Sequence, residues 1–227
     1  MEKTIDLNMS FDFDAAQFDG ASLRNLVHMI YSREHLLNKA TGGSFNVAPT
    51  LINLLATCIE LETVEDFLQV LVAHDAVYGQ ALHGIEITPQ HVRISGFGEA
   101  PDVRTLKAYG QLAVLMATRS RELRYVYARH IPVTNELFTF RAWLVTLGMN
   151  GADFKETREI LMARLEGCMG YRTPQTREKA RERAKMLRAR KEKKPRVEVT
   201  YEYVESVMWS TLTSLGYNFH APLFRHG

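Results

Sequence analysis

The sequence predicts an α+β fold, mainly helical. It consists of a small antiparallel sheet of about three strands covered by helices, then a helical C-terminal half with a basic helix. Three observations carry this expectation. Apolar residues alternate at period two only within 5–13 and 85–97. Elsewhere they recur at helical spacing between Gly and Pro punctuation. Lysine and arginine concentrate in 177–196.

The strands come first. Ile5, Leu7, Met9, Phe11 and Phe13 are apolar, and Asp6, Asn8, Ser10 and Asp12 between them are polar, the pattern of a strand with one buried face. Ile85 and Ile87 precede Thr88-Pro89-Gln90, and Val92 and Ile94 follow, which predicts a hairpin.

The helices follow in order. Leu23, Leu26, Val27, Ile30 and Leu37 share a face, with Ser22 as the expected cap and Gly42-Gly43 as the stop. A short helix or turn is expected over 49–58 after Pro49. Thr63 opens the next, with Asp66 at the capping-box position and Phe67, Leu68, Leu71 and Val72 as its inward face. Pro101-Asp102 starts a long helix expected to reach about Arg129, with Leu106, Met116, Leu123 and Val126 inward. Thr134 is the expected cap of a helix presenting Leu137, Phe140, Trp143, Leu144 and Leu147 and ending at Gly148. Asp153 and Glu156 form a capping pattern ahead of Ile160, Leu161 and Leu165. Thr173-Pro174 opens the basic helix and Pro195 closes it. Tyr201–Leu215 reads as a helix, or a strand leading into one. The apolar tail Asn218–Phe224 is expected to dock on the body. The expected organisation is a body at 1–170, the basic helix at 171–196, and a C-terminal segment at 197–227.

Composition narrows the class. With 46% hydrophobic and 24% charged residues the chain can bury a core. No apolar run approaches the ~18 residues a membrane span needs, and the acidic opening is neither a secretory signal nor a transit peptide, so a cytoplasmic protein is expected. Cys58 and Cys168 lie far apart in apolar patterns and read as reduced core residues.

The charge is unevenly placed. Residues 177–196 hold eleven Lys/Arg and three Glu, a net of +8; against a whole-chain charge of +2 this leaves −6 elsewhere. Such a local field steers partners more than the total does. Arg177, Arg181, Lys185 and Arg188 share one face of the basic helix, and Lys179, Arg183 and Arg190 another, with Lys191 beyond them. Only Ala180, Ala184 and Leu187 form an apolar stripe, too thin to anchor a helix by burial. A Lys/Arg stripe suits phosphate contact, and arginine's fork suits bidentate recognition. A solvated helix, or one that meets an acidic protein, explains the same charges. Aromatics do not interleave here, so base stacking on this helix is unsupported. Arg119, Arg121, Arg124 and Arg129 form a second cluster around Tyr125 and Tyr127. Cations at a helix C-terminus account for that cluster on local grounds.

Catalytic motifs are absent. There is no phosphate-binding loop, dinucleotide fingerprint, zincin motif or recognisable cofactor site. Two isolated cysteines do not make a structural zinc site, and Asp12, Asp14 and Asp19 lack ligand spacing. His28 and His35 could share a helix face, as could Arg24 and Tyr31, and an exposed-face or packing role explains the histidines better than metal or base chemistry. Gly42-Gly43-Ser44 suits helix termination as well as an anion cradle. Residues 137–147 and 153–166 partly match a helix-turn-helix, but Leu144 stands where a small residue is expected and the linker is glycine-rich. A core hairpin fits better.

Two stretches carry a resemblance. One is Leu23-Arg24-Asn25-Leu26-Val27-His28-Met29-Ile30-Tyr31-Ser32-Arg33 with Lys39-Ala40-Thr41-Gly42-Gly43. The other is Phe140-Arg141-Ala142-Trp143-Leu144-Val145-Thr146-Leu147-Gly148-Met149-Asn150-Gly151, continuing through Lys155 and Arg158 to Leu165. Together they resemble an uncharacterised family of small proteins carried on prophages and integrative elements of gut bacteria. The likeness spans most of 1–190 and includes the basic helix, and residues 200–227 lie outside it. The family has no assigned reaction, so the resemblance implies a mobile-element context and no catalytic residue. The expectation is therefore a non-enzymatic accessory protein that binds nucleic acid or a nucleoprotein through Arg177, Lys179, Arg181, Arg183, Lys185, Arg188, Arg190 and Lys191, assisted by Arg121 and Arg124. The alternative is an anti-CRISPR-like inhibitor that binds a bacterial defence complex; an enzyme of unrecognised type comes third.

Overall fold

The computed structural model describes residues 9–58, 61–130, 132–192 and 201–216. It is an α+β chain dominated by helices. By internal contact it divides into two units, Met1–Arg177 and Glu178–Gly227.

The first unit holds the sheet. Strands β1 (Phe11–Asp14), β4 (Ile85–Ile87) and β5 (His91–Ile94) form an antiparallel sheet in the order β1-β5-β4. The expected hairpin is β4–β5, with Ile85 opposite Ile94 and Ile87 opposite Val92. All four of these side chains are buried, and Phe11 and Phe13 of β1 pack against the same core. The other face carries charge. Arg93 lies between Asp12 (Nε–Oδ1 2.7 Å) and Glu86 (Nη1–Oε2 3.1 Å), and its hydrogen bond holds the Asp12 carboxyl below the usual range. A second, two-stranded sheet pairs β2 (Asn46–Val47) with β3 (Leu82–His83). Two-residue strands carry no readable alternation, so the sequence does not predict this one. Of the expected first strand, residues 1–8 lie outside the described residues.

Helix α1 (Gly20–Thr41) is the central element. Its cap is Asp19, not Ser22. Ser22 sits at the third helical position, where its hydroxyl returns a bond to the Asp19 backbone in a reciprocal capping box. Gly42 ends the helix at φ 67°, a conformation that glycine alone enters freely. Helices α2 (Pro49–Thr57) and α3 (Val64–Tyr78) pair with each other, and α3 also packs on α1. Thr63 and Asp66 make the expected capping box, but Val72 is 67% exposed, so the inward face of α3 is narrower than its pattern suggests.

Helix α4 (Val103–Glu122) packs on α1 and starts at Asp102 as expected. It ends seven residues before Arg129. Leu123–His130 is non-helical instead, and its captors are far away in sequence. Asn25 Nδ2 donates to the Ser120 carbonyl (3.2 Å) and the Leu123 carbonyl (2.6 Å), and Asn25 Oδ1 accepts from Val126 N–H (3.0 Å). Helices α5 (Glu136–Thr146) and α6 (Lys155–Met162) pack together, and α6 packs on α4. Asn135, not Thr134, caps α5; α6 has no side-chain cap, so Asp153 does not serve as one. Trp143, Leu144, Leu147 and Met149 are buried, and Arg158 donates to the Met149 and Gly151 carbonyls of its own linker. The pair is a core hairpin.

Behind β4 and β5 the backbone passes itself closely. A Cβ at Gly84 would come 2.6 Å from the Gly96 Cα, and one on Gly43 would meet the Gly96 carbonyl. A Cβ at Gly96 would run into the Phe45 ring, which packs against the crossing. Among the described residues every buried hydrophobic side chain lies between Met9 and Leu165. Cys58 and Cys168 are free thiols, half-buried rather than in the core.

Helices α7 (Pro174–Glu192) and α8 (Tyr201–Ser214) follow; the boundary between the two units falls within α7. No residue of α8 is buried. The chain at 201–214 is helical throughout. Pro195 and the tail from Asn218 lie outside the described residues.

Candidate nucleic-acid interface

Helix α7 begins as the sequence requires. Thr173 Oγ1 accepts from Thr176 N–H (3.2 Å), and Pro174, which has no N–H to leave unsatisfied, follows it. The side chains of Arg177, Lys179, Arg181, Arg183, Lys185 and Arg188 are all exposed. Among the described residues no ion pair involves any of them. The apolar stripe stays in solvent, with Leu187 60% exposed. The helix therefore owes little to burial, and its cations are uncommitted. Arg190 and Lys191 belong to α7, but their side chains lie outside the described residues.

Arg121 and Arg124 fare differently. Arg121 is spent on the body. Its Nε donates to the Ala117 carbonyl (3.1 Å) and its Nη1 to Gln17 Oε1 (2.8 Å), and its guanidinium lies over the Phe18 ring. Arg124 is exposed beyond the end of α4, so the helix terminus explains Arg119 and Arg121 but not Arg124 or Arg129.

The non-helical segment Leu123–His130 creates what a helix would not. Val126 and Ala128 pack against the core while Tyr125, Tyr127 and Arg129 are exposed, the alternation of a strand. One face of α1 holds the segment. Asn25 ties its backbone, His28 Nδ1 bonds the Val126 carbonyl (2.9 Å), and Tyr31 packs on His130 with ring centroids 4.1 Å apart. Arg24 lies over the Tyr125 ring, 5.5 Å from its centroid. The His28 ring is buried, and its Nε2 has no partner. Burial holds its pKa below the ordinary imidazole value, against the Val126 bond and with repulsion from Arg24.

A pocket of about 300 Å³ lies between this segment, α1 and α5. Its lining includes Ser32, Arg33, Arg119, Tyr125, Tyr127 and Trp143, and no carboxylate. In the sequence Arg24 and Tyr31 only share a face with His28, and a helix spreads Tyr31-Ser32-Arg33-Glu34-His35 around its circumference, so Arg33 does not stand out. The available signal was a polar face on an otherwise apolar helix, matched by the Tyr-x-Tyr spacing at 125–127.

Other polar constellations are accounted for. Thr50 Oγ1 lies 2.7 Å from His74 Nε2, and His74 Nδ1 lies 3.1 Å from Asp75 Oδ1, an order that a hydroxyl nucleophile would use. The N–H following that hydroxyl, Leu51 N–H, is already bonded to the Ala48 carbonyl (3.0 Å), and Asp75 Oδ1 also accepts from Ala81 N–H. The triplet ties α2 to α3. Among the described residues no three His, Cys, Asp or Glu side chains converge as metal ligands, and no helix is long and apolar enough to cross a membrane. Compared with family models, curated proteins and solved structures, the chain finds no match.

Proposed function

We propose that this chain is a non-enzymatic accessory protein that grips nucleic acid through α7. One observation carries the reading: six exposed Lys/Arg side chains on one continuous helix without an ion pair among the described residues. Exposed cations that pair with carboxylates elsewhere, such as Arg93 and Lys39, are neutralised in place. Those of α7 keep their field for a partner. Binding that releases condensed counterions is insensitive to sequence and falls steeply with salt. The mobile-element resemblance of residues 1–190 supports this reading by context.

The test is a salt titration of duplex binding. Five or six phosphate contacts give a slope of about −5 in log K against log salt. Replacing Arg177, Arg181, Lys185 and Arg188 with Glu is expected to abolish binding while the thermal transition of the body stays in place. Equal binding by the charge-reversed protein refutes the proposal. A pull-down from bacterial lysate with and without nuclease separates the inhibitor alternative, since a defence complex retained after nuclease, with no affinity for bare DNA, points there instead.

A further inference from the structure

We propose that the pocket beneath Leu123–His130 binds a single nucleotide unit, with its phosphate at Arg33 and Arg119 and its base against Tyr127. This goes beyond the α7 reading and stands without it.

The phosphate end follows from an uncompensated charge. Arg33 is half-buried, with no carboxylate within 4.0 Å among the described residues. Its Nη1 donates only to the Ser32 carbonyl (3.2 Å), and its Nε is buried without a partner. Desolvation lowers its pKa, which reports the same imbalance. A desolvated cation without a counter-charge is costly to the fold. Arg119, from α4, lines the same pocket; its Nη1 bonds Glu122 Oε2 (2.8 Å), and no other bond of its guanidinium is seen among the described residues. No acid lines the pocket, and the Glu122 carboxylate already carries an Arg119 N–H, so an entering anion meets two guanidinium groups, of which Arg33 is unpaired.

The base end follows from the aromatics. Tyr127 is 80% exposed and packs across Tyr125 at 80°, with centroids 5.0 Å apart, and one neighbouring ring covers at most one of its two faces. The Tyr125 ring is already engaged by Arg24 and the edge of His28. Stacking on Tyr127 is open to any base. The platform is held in advance by the Asn25 and His28 bonds, so binding orders little chain. A volume near 300 Å³ is at the small end for ligand sites and suits one nucleotide, not a duplex.

Trp143 lines the pocket and supplies the readout. In a Trp209→Phe protein it is the sole tryptophan. Its fluorescence is titrated with adenosine 5′-monophosphate, adenosine, inorganic phosphate and a short single-stranded oligoadenylate. The monophosphate is expected to shift the signal saturably, at least about tenfold tighter than adenosine or phosphate alone. Competition by the oligoadenylate identifies a strand as the source, and its absence identifies the free nucleotide. Arg33→Gln, which removes an unpaired charge, and Tyr127→Ala, at an exposed position, are each expected to weaken the monophosphate about tenfold, with melting unchanged for Tyr127→Ala and unchanged or raised for Arg33→Gln. No saturable signal from either nucleotide probe overturns the proposal. So does phosphate binding as tightly as the monophosphate, or wild-type affinity in both variants. Loss of duplex binding with the monophosphate still bound counts against α7 alone, and the reverse counts against the pocket alone.

Discussion

Two buried polar residues of α1 show how much a single position decides. Asn25 makes three backbone bonds to residues about a hundred positions away, and His28 makes a fourth. Each bonded group would otherwise be buried unsatisfied, at about 1–3 kcal/mol apiece. In the sequence both look like interruptions of an apolar face, and nothing local reveals their partners. His28 also gives the fold a pH dependence. Its pKa is lowered in the folded state, so the folded protein keeps the ring neutral where the unfolded chain takes up a proton. Above about pH 6.5 neither state is charged, and the residue contributes no slope. As pH falls below that value the unfolded state binds the proton first, and stability drops until the folded pKa is passed, by up to ~1.4 kcal/mol per pH unit. Urea midpoints at pH 7.5 and 5.5 should therefore separate more for the wild type than for His28→Gln. Equal separations would remove His28 as the cause.

At the scale of elements, legibility follows how local each determinant is. The β4–β5 hairpin, the α3 capping box and the α7 start were readable because their signals lie within a few residues: Thr88-Pro89-Gln90, Thr63 with Asp66, Thr173-Pro174. The end of α4 was not. Leu123 and Val126 continue a helical spacing, and only Asn25 and His28 draw them into a non-helical segment. The Tyr125/Tyr127 platform was hidden for the same reason, since on a helix those residues would not alternate outward with Val126 and Ala128 inward. The α1 cap was misplaced by three residues because Ser22 and Asp19 both have capping chemistry and each bonds the other's backbone. Removing the outer member tests which one starts the helix. Asp19→Ala should lower stability by about 1 kcal/mol by chemical denaturation. No loss would mean that Ser22 alone suffices.

Across the whole molecule, the division of labour between core and charge is sharp. Buried apolar residues run from Met9 to Leu165, while α7 and α8 bury none among the described residues. Folding of the body therefore should not depend on the second unit. A chain ending at Arg177 is expected to melt within about 3 °C of the full-length protein, the shift that 1 kcal/mol makes in a domain of this size. Differential scanning calorimetry checks this, and a larger drop would show that residues beyond 177 stabilise the core. The same contrast explains why the charged helix was the most legible feature and the pocket the least: one is written in consecutive residues, the other assembled from α1, α5 and the chain after α4. The crossing of Gly43, Gly84 and Gly96 has a consequence of another kind. In a saturation-mutagenesis library these positions would score as intolerant to every substitution, the profile usually taken to mark an active centre. Here the cause would be steric, backbone against backbone at Gly43 and Gly84 and the Phe45 ring at Gly96, so a map of intolerance drawn on this protein would mark close packing as strongly as chemistry.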